Sequence, residues 1–137
     1  DYDPFNHEHM CKIRAEKVAR TANNIPDQEV FGPDSGTLML GWGSTFGAIR
    51  QAVRQAQDDG IQVAHAQIRH MCPFPKNLGA ILDRYETVII PEMNLGQLVK
   101  LVRMEFLVDA ISLPKIQGLP FMVHEIRDAI QTHAKGA

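Results

Sequence analysis

An alternation constrains this chain more than any other feature. Four short apolar runs, Thr37 to Leu40, Gln62 to Ile68, Thr87 to Glu92 and Ala110 to Ile116, are separated by stretches whose apolar residues recur at helical spacing. "TLML" and "TVIIPE" are almost continuously apolar, the pattern of strands buried on both faces. After the first run, Phe46, Ile49, Val53 and Ala56 mark one helix face, which Asp59-Gly60 ends. "RHMCPFP" stops the second run, since its prolines forbid regular pairing. A short helix is predicted from Leu78 to Arg84, a longer one from Asn94, and a last one carrying Val123, Ile126 and Ile130. Strands alternating with helices bury both sheet faces only in a mostly parallel sheet covered on each side, a three-layer α/β/α arrangement. In such sheets a site lies beyond the carboxyl ends of the strands. Two turns qualify: Gly41 to Thr45, and Pro91 to Gly96.

The remainder fits one domain. His7 to Asn24 is charged, lacks Gly and Pro, and reads as a leading helix with a sparse apolar face. A loop from Ile25 to Gly36 follows, in which "EVF" (29–31) is placed to pair at a sheet edge. Residues 1–27 thus read as leading helix and linker, and 28–137 as the domain. A chain of 137 residues is long enough for a real core. The net charge of −2, with no basic stripe interleaved by aromatics, points away from nucleic acid. No apolar run approaches the ~20 residues of a membrane span, and no secretory signal opens the chain. Cys11 and Cys72 lack metal-type spacing and read as reduced thiols of a cytoplasmic protein. The start at Asp1 without a methionine suggests a piece of something longer.

The stretch "GWGSTFGAIRQAV" (41–53) runs from strand through a glycine turn into a helix, the layout of phosphate-binding loops. The details disfavour NAD and ATP. Gly41, Gly43 and Gly47 are spaced one residue too long for G-x-G-x-x-G, and Gln67, Ile68 and Arg69 stand where an acidic ribose ligand belongs. No P-loop lysine follows. Two readings stay open: a plain turn with Ser44 or Thr45 as N-cap, or a weak anion or ligand contact at the helix start. In "PEMNLGQL", Asn94 with Gln97 three residues on resembles a capping box, and the same polar groups are placed to face a ligand or partner. Glu92, at a strand end, reads as a solvated or salt-bridged carboxylate ahead of a general base. In "HEHMC", His7, His9 and Cys11 on a helix are spread by about 200° at each step, so no metal site is expected. His65 and His70 point oppositely on one strand. No nucleophile elbow or Cys-His pair is present, so no catalytic residue is assigned. The chain reads as a supporting or binding module.

Taken together, "GWGSTFGAIRQAV", the Arg69-x-x-x-Pro73 junction in "IRHMCPFPKNL", "YETVIIPEMNLGQLVKLVRMEF" and "KIQGLPF" resemble the C-terminal part of the alpha subunit of 2-oxoacid:ferredoxin oxidoreductases, most nearly the 2-oxoglutarate type. The leading Arg14-x-x-Lys17 fits as well. The resemblance implies a transketolase C-terminal-like fold, a five-stranded sheet ordered 1-3-2-4-5 whose antiparallel first strand would be "EVF". This order sets the two candidate turns side by side. It also implies an enzyme that decarboxylates a 2-oxoacid on thiamine diphosphate with magnesium, passes electrons through an iron–sulfur cluster to ferredoxin, and forms an acyl-CoA. None of these cofactors is expected to be bound by this domain alone. The activating glutamate and the cluster ligands belong to other domains or to the beta subunit, and Glu92 is not that glutamate. Implied partners are the beta subunit and the remaining alpha-subunit domains, in a dimer of heterodimers. Ser44, Thr45, Asn94 and Gln97 become candidate contacts to coenzyme A or to an interface. The helix from Asn94 to Val108 carries two apolar stripes, Leu98, Val102 and Phe106 against Leu101, Met104 and Val108, and the second is expected to meet a partner. The same fold closes pyruvate dehydrogenase-type E1 beta subunits and transketolases. A stand-alone small-ligand binding module is the third alternative.

Overall fold

Four parallel strands form the sheet: β1 (Thr37–Trp42), β2 (Val63–Ile68), β3 (Thr87–Glu92) and β4 (Ile111–Pro114), in the order β2-β1-β3-β4. The computed structural model describes residues 22–93, 96–115 and 119–134. Ala22–Asn24 form a 3-10 turn; the rest of the expected leading helix, with His7, His9, Cys11 and Arg14-x-x-Lys17, lies outside the described residues. The strands are joined by α1 (Phe46–Asp58), α2 (Leu78–Leu82) and α3 (Gln97–Phe106), and α4 (Val123–His133) closes the fold.

Alternation along each strand sorts the core into two halves. Leu38 and Leu40 of β1, Ala64 and Ala66 of β2, and Val88 and Ile90 of β3 face α2 and α3, which supply Leu78, Ile81, Leu82, Leu98, Val99 and Val102. Met39, Val63 and Ile89 face the other way, against Ile49, Ala52, Val53 and Ala56 of α1 and Ile126 and Ile130 of α4. This is the α/β/α sandwich that the alternation predicts. Arg127 of α4 ties the outer layer together by donating to Asp59 at the end of α1 at 2.6 Å.

The expected fifth strand is reduced to a single antiparallel bridge. Phe31 and His65 exchange backbone hydrogen bonds of 2.8 and 2.9 Å at the outer edge of β2, where "EVF" was placed. It extends no further because the chain turns away at Gly32, whose φ of 119° most side chains cannot adopt. Among the described residues, no helix is long and apolar enough to cross a membrane.

The two stripes of α3 separate as expected, with one exchange. Leu98 and Val102 are fully buried, while Leu101 is 39% and Met104 70% exposed. Val108 turns back to pack on the core beside Phe106. Leu107 takes its place in the outer stripe at 90% exposure, because the helix ends there with φ 55°.

Candidate functional site

The parallel register aligns the carboxyl ends of β1 and β3, so the glycine turn after β1 and the segment after β3 lie together. Side chains span the gap. The Trp42 indole donates to Glu92 Oε1 at 3.1 Å, and the Ser44 hydroxyl lies 3.8 Å from Met93 Sδ.

Glu92 is neither solvated nor salt-bridged, contrary to the sequence reading. It is fully buried, and its carboxylate accepts from the backbone of Leu98 at 2.7 Å and of Val99 at 3.2 Å as well as from Trp42. Those two N–H groups are the second and third of α3, the donors that an N-cap side chain normally satisfies. The residue in the N-cap position is Gly96, with φ 84° and no side chain to offer. Glu92, four residues upstream, therefore performs the cap from inside the core. The Asn94–Gln97 capping box is not how α3 starts: Gln97 is its first residue, exposed at the rim, and Asn94 lies outside the described residues. A negative group at this end also matches the helix dipole.

Thr45 does not cap α1 either. Its buried hydroxyl donates backward to the Trp42 carbonyl at 2.8 Å, closing a 3-10 turn of Gly43–Thr45. Gly41 lets two side chains close over the strand end: a Cβ there would fall on Gln67 Oε1 and Ile49 Cδ1, and both tips would have to move. Gly43, at φ 65°, has open space around it and is required by conformation. Of the four candidate contacts, Thr45 is consumed by the turn, Ser44 sits at the Met93 edge, Gln97 is exposed, and Asn94 is undescribed.

On the opposite face of the sheet a second network holds the same turn. Arg50 Nε donates to His65 Nδ1 at 3.0 Å, and His65 Nε2 lies 2.9 Å from Gln67 Oε1. Gln67 Nε2 in turn donates to the Gly43 carbonyl at 3.1 Å. Every partner in this row has a fixed role. Since Arg50 can only donate, Nδ1 accepts, so Nε2 carries the proton and gives it to the Gln67 oxygen. His65 is therefore neutral. Burial is the main cause, the Gln67 contact opposes it, and the Arg50 charge adds to it, leaving the imidazole pKa lowered to about 4. The sequence reading missed this row. Its signal was there: His65 and Gln67 are two apart in "VAHAQI", hence on one face, and they are polar in a strand otherwise apolar.

Two cavities open beside this network. One, of about 380 Å³, is lined by Gln28, Arg50, Gln67, Arg69 and His70 with Asp27 and Glu29. The other, of about 550 Å³, is more apolar and lined by Trp42, Phe46, Ile68 and Met71 among others. They share Phe46, Gln67 and Arg69. The outer wall of the first is fixed, for Gln28 donates to the Gln67 carbonyl at 2.9 Å and exchanges hydrogen bonds of 2.7 and 3.1 Å with Asn77.

Residues 36–126, well over half the chain, match the family described as pyruvate:ferredoxin oxidoreductase core domain II. The chain belongs to that family. It is 42% identical to the 2-oxoglutarate oxidoreductase subunit KorA of Mycobacterium tuberculosis over 98% of its own length and 21% of that subunit. It is 34% identical to the alpha subunit of 2-oxoacid:ferredoxin oxidoreductase 2 of Aeropyrum pernix, again across 21% of the relative. Its fold superposes, with a TM-score of 0.81 and 29% identity, on a structure of 2-oxoglutarate:ferredoxin oxidoreductase from Magnetococcus marinus with 2-oxoglutarate, coenzyme A and succinyl-CoA bound; the match covers 96% of this chain and 24% of that one. This core domain II thus spans about a fifth of the curated relatives it matches. The relatives are subunits of oxidoreductases, and the chain corresponds to one domain of such a subunit, which favours the ferredoxin-linked family over the E1-beta and stand-alone alternatives.

Proposed function

We propose that this core domain II is the C-terminal accessory domain of the alpha subunit of a 2-oxoglutarate:ferredoxin oxidoreductase, serving assembly and the coenzyme A side of oxidative decarboxylation to acyl-CoA. Thiamine diphosphate, magnesium and the iron–sulfur cluster are held elsewhere in that enzyme, which passes its electrons to ferredoxin. The observation that carries the assembly role is the outer stripe of α3. Leu101, Met104 and Leu107 stand in solvent on a helix whose other stripe already fills the core, and the chain is one domain of a much longer subunit. A second apolar stripe on an anchored helix is what a docking surface requires. Its partner is another alpha-subunit domain or the beta subunit, within a dimer of heterodimers.

Two substitutions separate docking from folding. Leu101→Asp is expected to change the stability of the isolated chain by no more than about 0.5 kcal/mol. In the full enzyme it should sharply reduce recovery of assembled subunits on size exclusion. Unfolding of the isolated chain would assign both stripes to its own core and end the docking role. Leu107→Gly makes a sharper test, because the two effects have opposite signs. Glycine relieves the left-handed backbone at φ 55° and should stabilise the chain by about 1 kcal/mol. It should nonetheless weaken assembly, since the most exposed apolar side chain of the stripe is gone.

The coenzyme A role rests on Ser44, Asn94 and Gln97, neutral hydrogen-bonding groups beside the two turns, and on a solved relative whose structure holds coenzyme A. Neutral hydrogen bonds contribute about 0.5–1.5 kcal/mol each, so the isolated domain should bind coenzyme A weakly. In the assembled enzyme, Ser44→Ala and Asn94→Ala should each raise the coenzyme A requirement about 3- to 10-fold. Decarboxylation of 2-oxoglutarate with an artificial electron acceptor should stay near its original rate. Equal loss of both activities would reduce these residues to structural parts of the turns.

A further inference from the structure

The 380 Å³ cavity is not used by anything above, and its charges are arranged unusually. Arg50, Arg69, Asp27 and Glu29 all line it, yet none of the four forms an ion pair within 4.0 Å among the described residues. Opposite charges around one hollow normally collapse onto each other. Here the cation is pinned instead. The Arg50 guanidinium lies over the Phe31 ring at 4.1 Å and the Phe46 ring at 4.8 Å, and its Nε is spent on His65. That leaves the two terminal nitrogens, Nη1 and Nη2, with no acceptor among the described residues. A guanidinium lying over two rings, its outer edge without an acceptor among the described residues, is prepared for an oxyanion.

We propose that this cavity binds the phosphoryl group of a phosphorylated nucleoside, with Arg50 as its fixed donor and Arg69 as its second charge. Arg54, whose guanidinium lies 5.5 Å from the centre of the Phe31 ring, adds to the local positive field. Burial and this same Arg54 lower the Arg50 pKa, and the opposite charge of a bound anion offsets both effects. The carboxylates of Asp27 and Glu29, exposed at the rim, narrow the ligand class. They share the cavity with the two arginines, so they repel an extended polyanion and limit the ligand to a single phosphoryl group there. The adjoining apolar cavity, with Trp42, Phe46 and Met71, offers the surface on which a flat base rests. This site lies across the glycine turn from Met93 and goes beyond the coenzyme A reading of Ser44 and Asn94. A negative result here leaves the Ser44→Ala and Asn94→Ala experiments standing.

Trp42 lines the apolar cavity and is the sole tryptophan, so its fluorescence reports on the site directly. The chain closes both of its cores with its own residues and is titrated as it stands, with adenosine monophosphate, adenosine and inorganic phosphate. Adenosine monophosphate should change the emission saturably, inorganic phosphate should compete with it, and adenosine should bind far more weakly. Arg50→Gln should weaken the nucleotide by about tenfold or more, the equivalent of one charge-assisted hydrogen bond. Because Arg50 also packs on two rings, Arg69→Gln, which removes an exposed side chain without hydrogen bonds among the described residues, provides the independent variant and should weaken it too. Adenosine binding as tightly as its monophosphate would overturn the proposal. So would the absence of saturable binding, or affinity unchanged in both arginine variants.

Discussion

The Glu92→Ala variant is expected to lose about 3–5 kcal/mol of folding stability, measured by urea denaturation. The carboxylate satisfies three donors at once, the backbone of Leu98 and Val99 and the indole of Trp42, at a position with no solvent exposure. Removing it strands the backbone donors where water cannot easily replace it. These two are fully buried and cost about 1–3 kcal/mol each when stranded, about 2–6 together, which brackets this range; the half-buried indole of Trp42 adds little because water reaches it. Glu92→Gln should cost less than alanine but remain destabilising. Its amide keeps one acceptor oxygen and turns an NH₂ toward a donor. A loss below about 1 kcal/mol for the alanine variant would mean that α3 is capped by something else. If Glu92 were instead a general base in catalysis, Glu92→Gln would abolish turnover while leaving stability unchanged, and the geometry predicts the reverse.

Acid should destabilise the fold through His65 in a defined window. The imidazole titrates at about 4 in the folded chain and at 6.5 in the unfolded one. Its depressed value means that the unfolded state takes up the proton first. The stabilisation is fully present above pH 6.5 and is lost as pH falls from there through about 4. Across that window the loss reaches about 3 kcal/mol. Carboxylates whose pKa is lowered on folding act further down: Glu125, lowered chiefly by its hydrogen bond from Lys115, loses its contribution only as pH falls below 4.5. The difference between the wild type and His65→Gln isolates the histidine. The variant should be less stable at pH 7 but should show a flatter dependence between pH 6.5 and 4. Parallel profiles for the two proteins would show that His65 carries no linked proton.

Much of the architecture was legible because its signals are periodic. "TVIIPE" could hardly be anything but a buried strand, and β3 occupies those six residues. Of the α1 face expected at Phe46, Ile49, Val53 and Ala56, the last three pack on the sheet, while Phe46 at the helix start stays exposed beside His65. What stayed hidden depends on contacts between residues far apart in the chain. Nothing local marks Glu92 as a cap, because it lies four residues ahead of the N-cap position and reaches α3 only once Gly96 has turned the backbone through φ 84°. The pattern Asn94 to Gln97 imitates a capping box at the level of spacing, and the helix begins too late to use it. Likewise "EVF" carries strand-like residues, but pairing beyond Phe31 depends on Gly32, whose backbone leaves the sheet. The polar row from Arg50 to Gly43 spans a helix, a strand and a turn. Only His65 and Gln67, two apart on one strand, betray it locally.

The turn at Gly43 is gripped from both sides of the sheet, by Gln67 on one face and through Trp42 and Glu92 on the other. Loops at the mouth of an open sheet commonly set their shape only when something arrives, and the entropy of that ordering is then subtracted from affinity. Here little freedom remains to be lost. Whatever meets the Gly43 turn, a neighbouring domain or a small molecule, finds its contour already cast. Selectivity at such a surface rests on matching a rigid template, and a partner of the wrong shape cannot be accommodated by rearrangement.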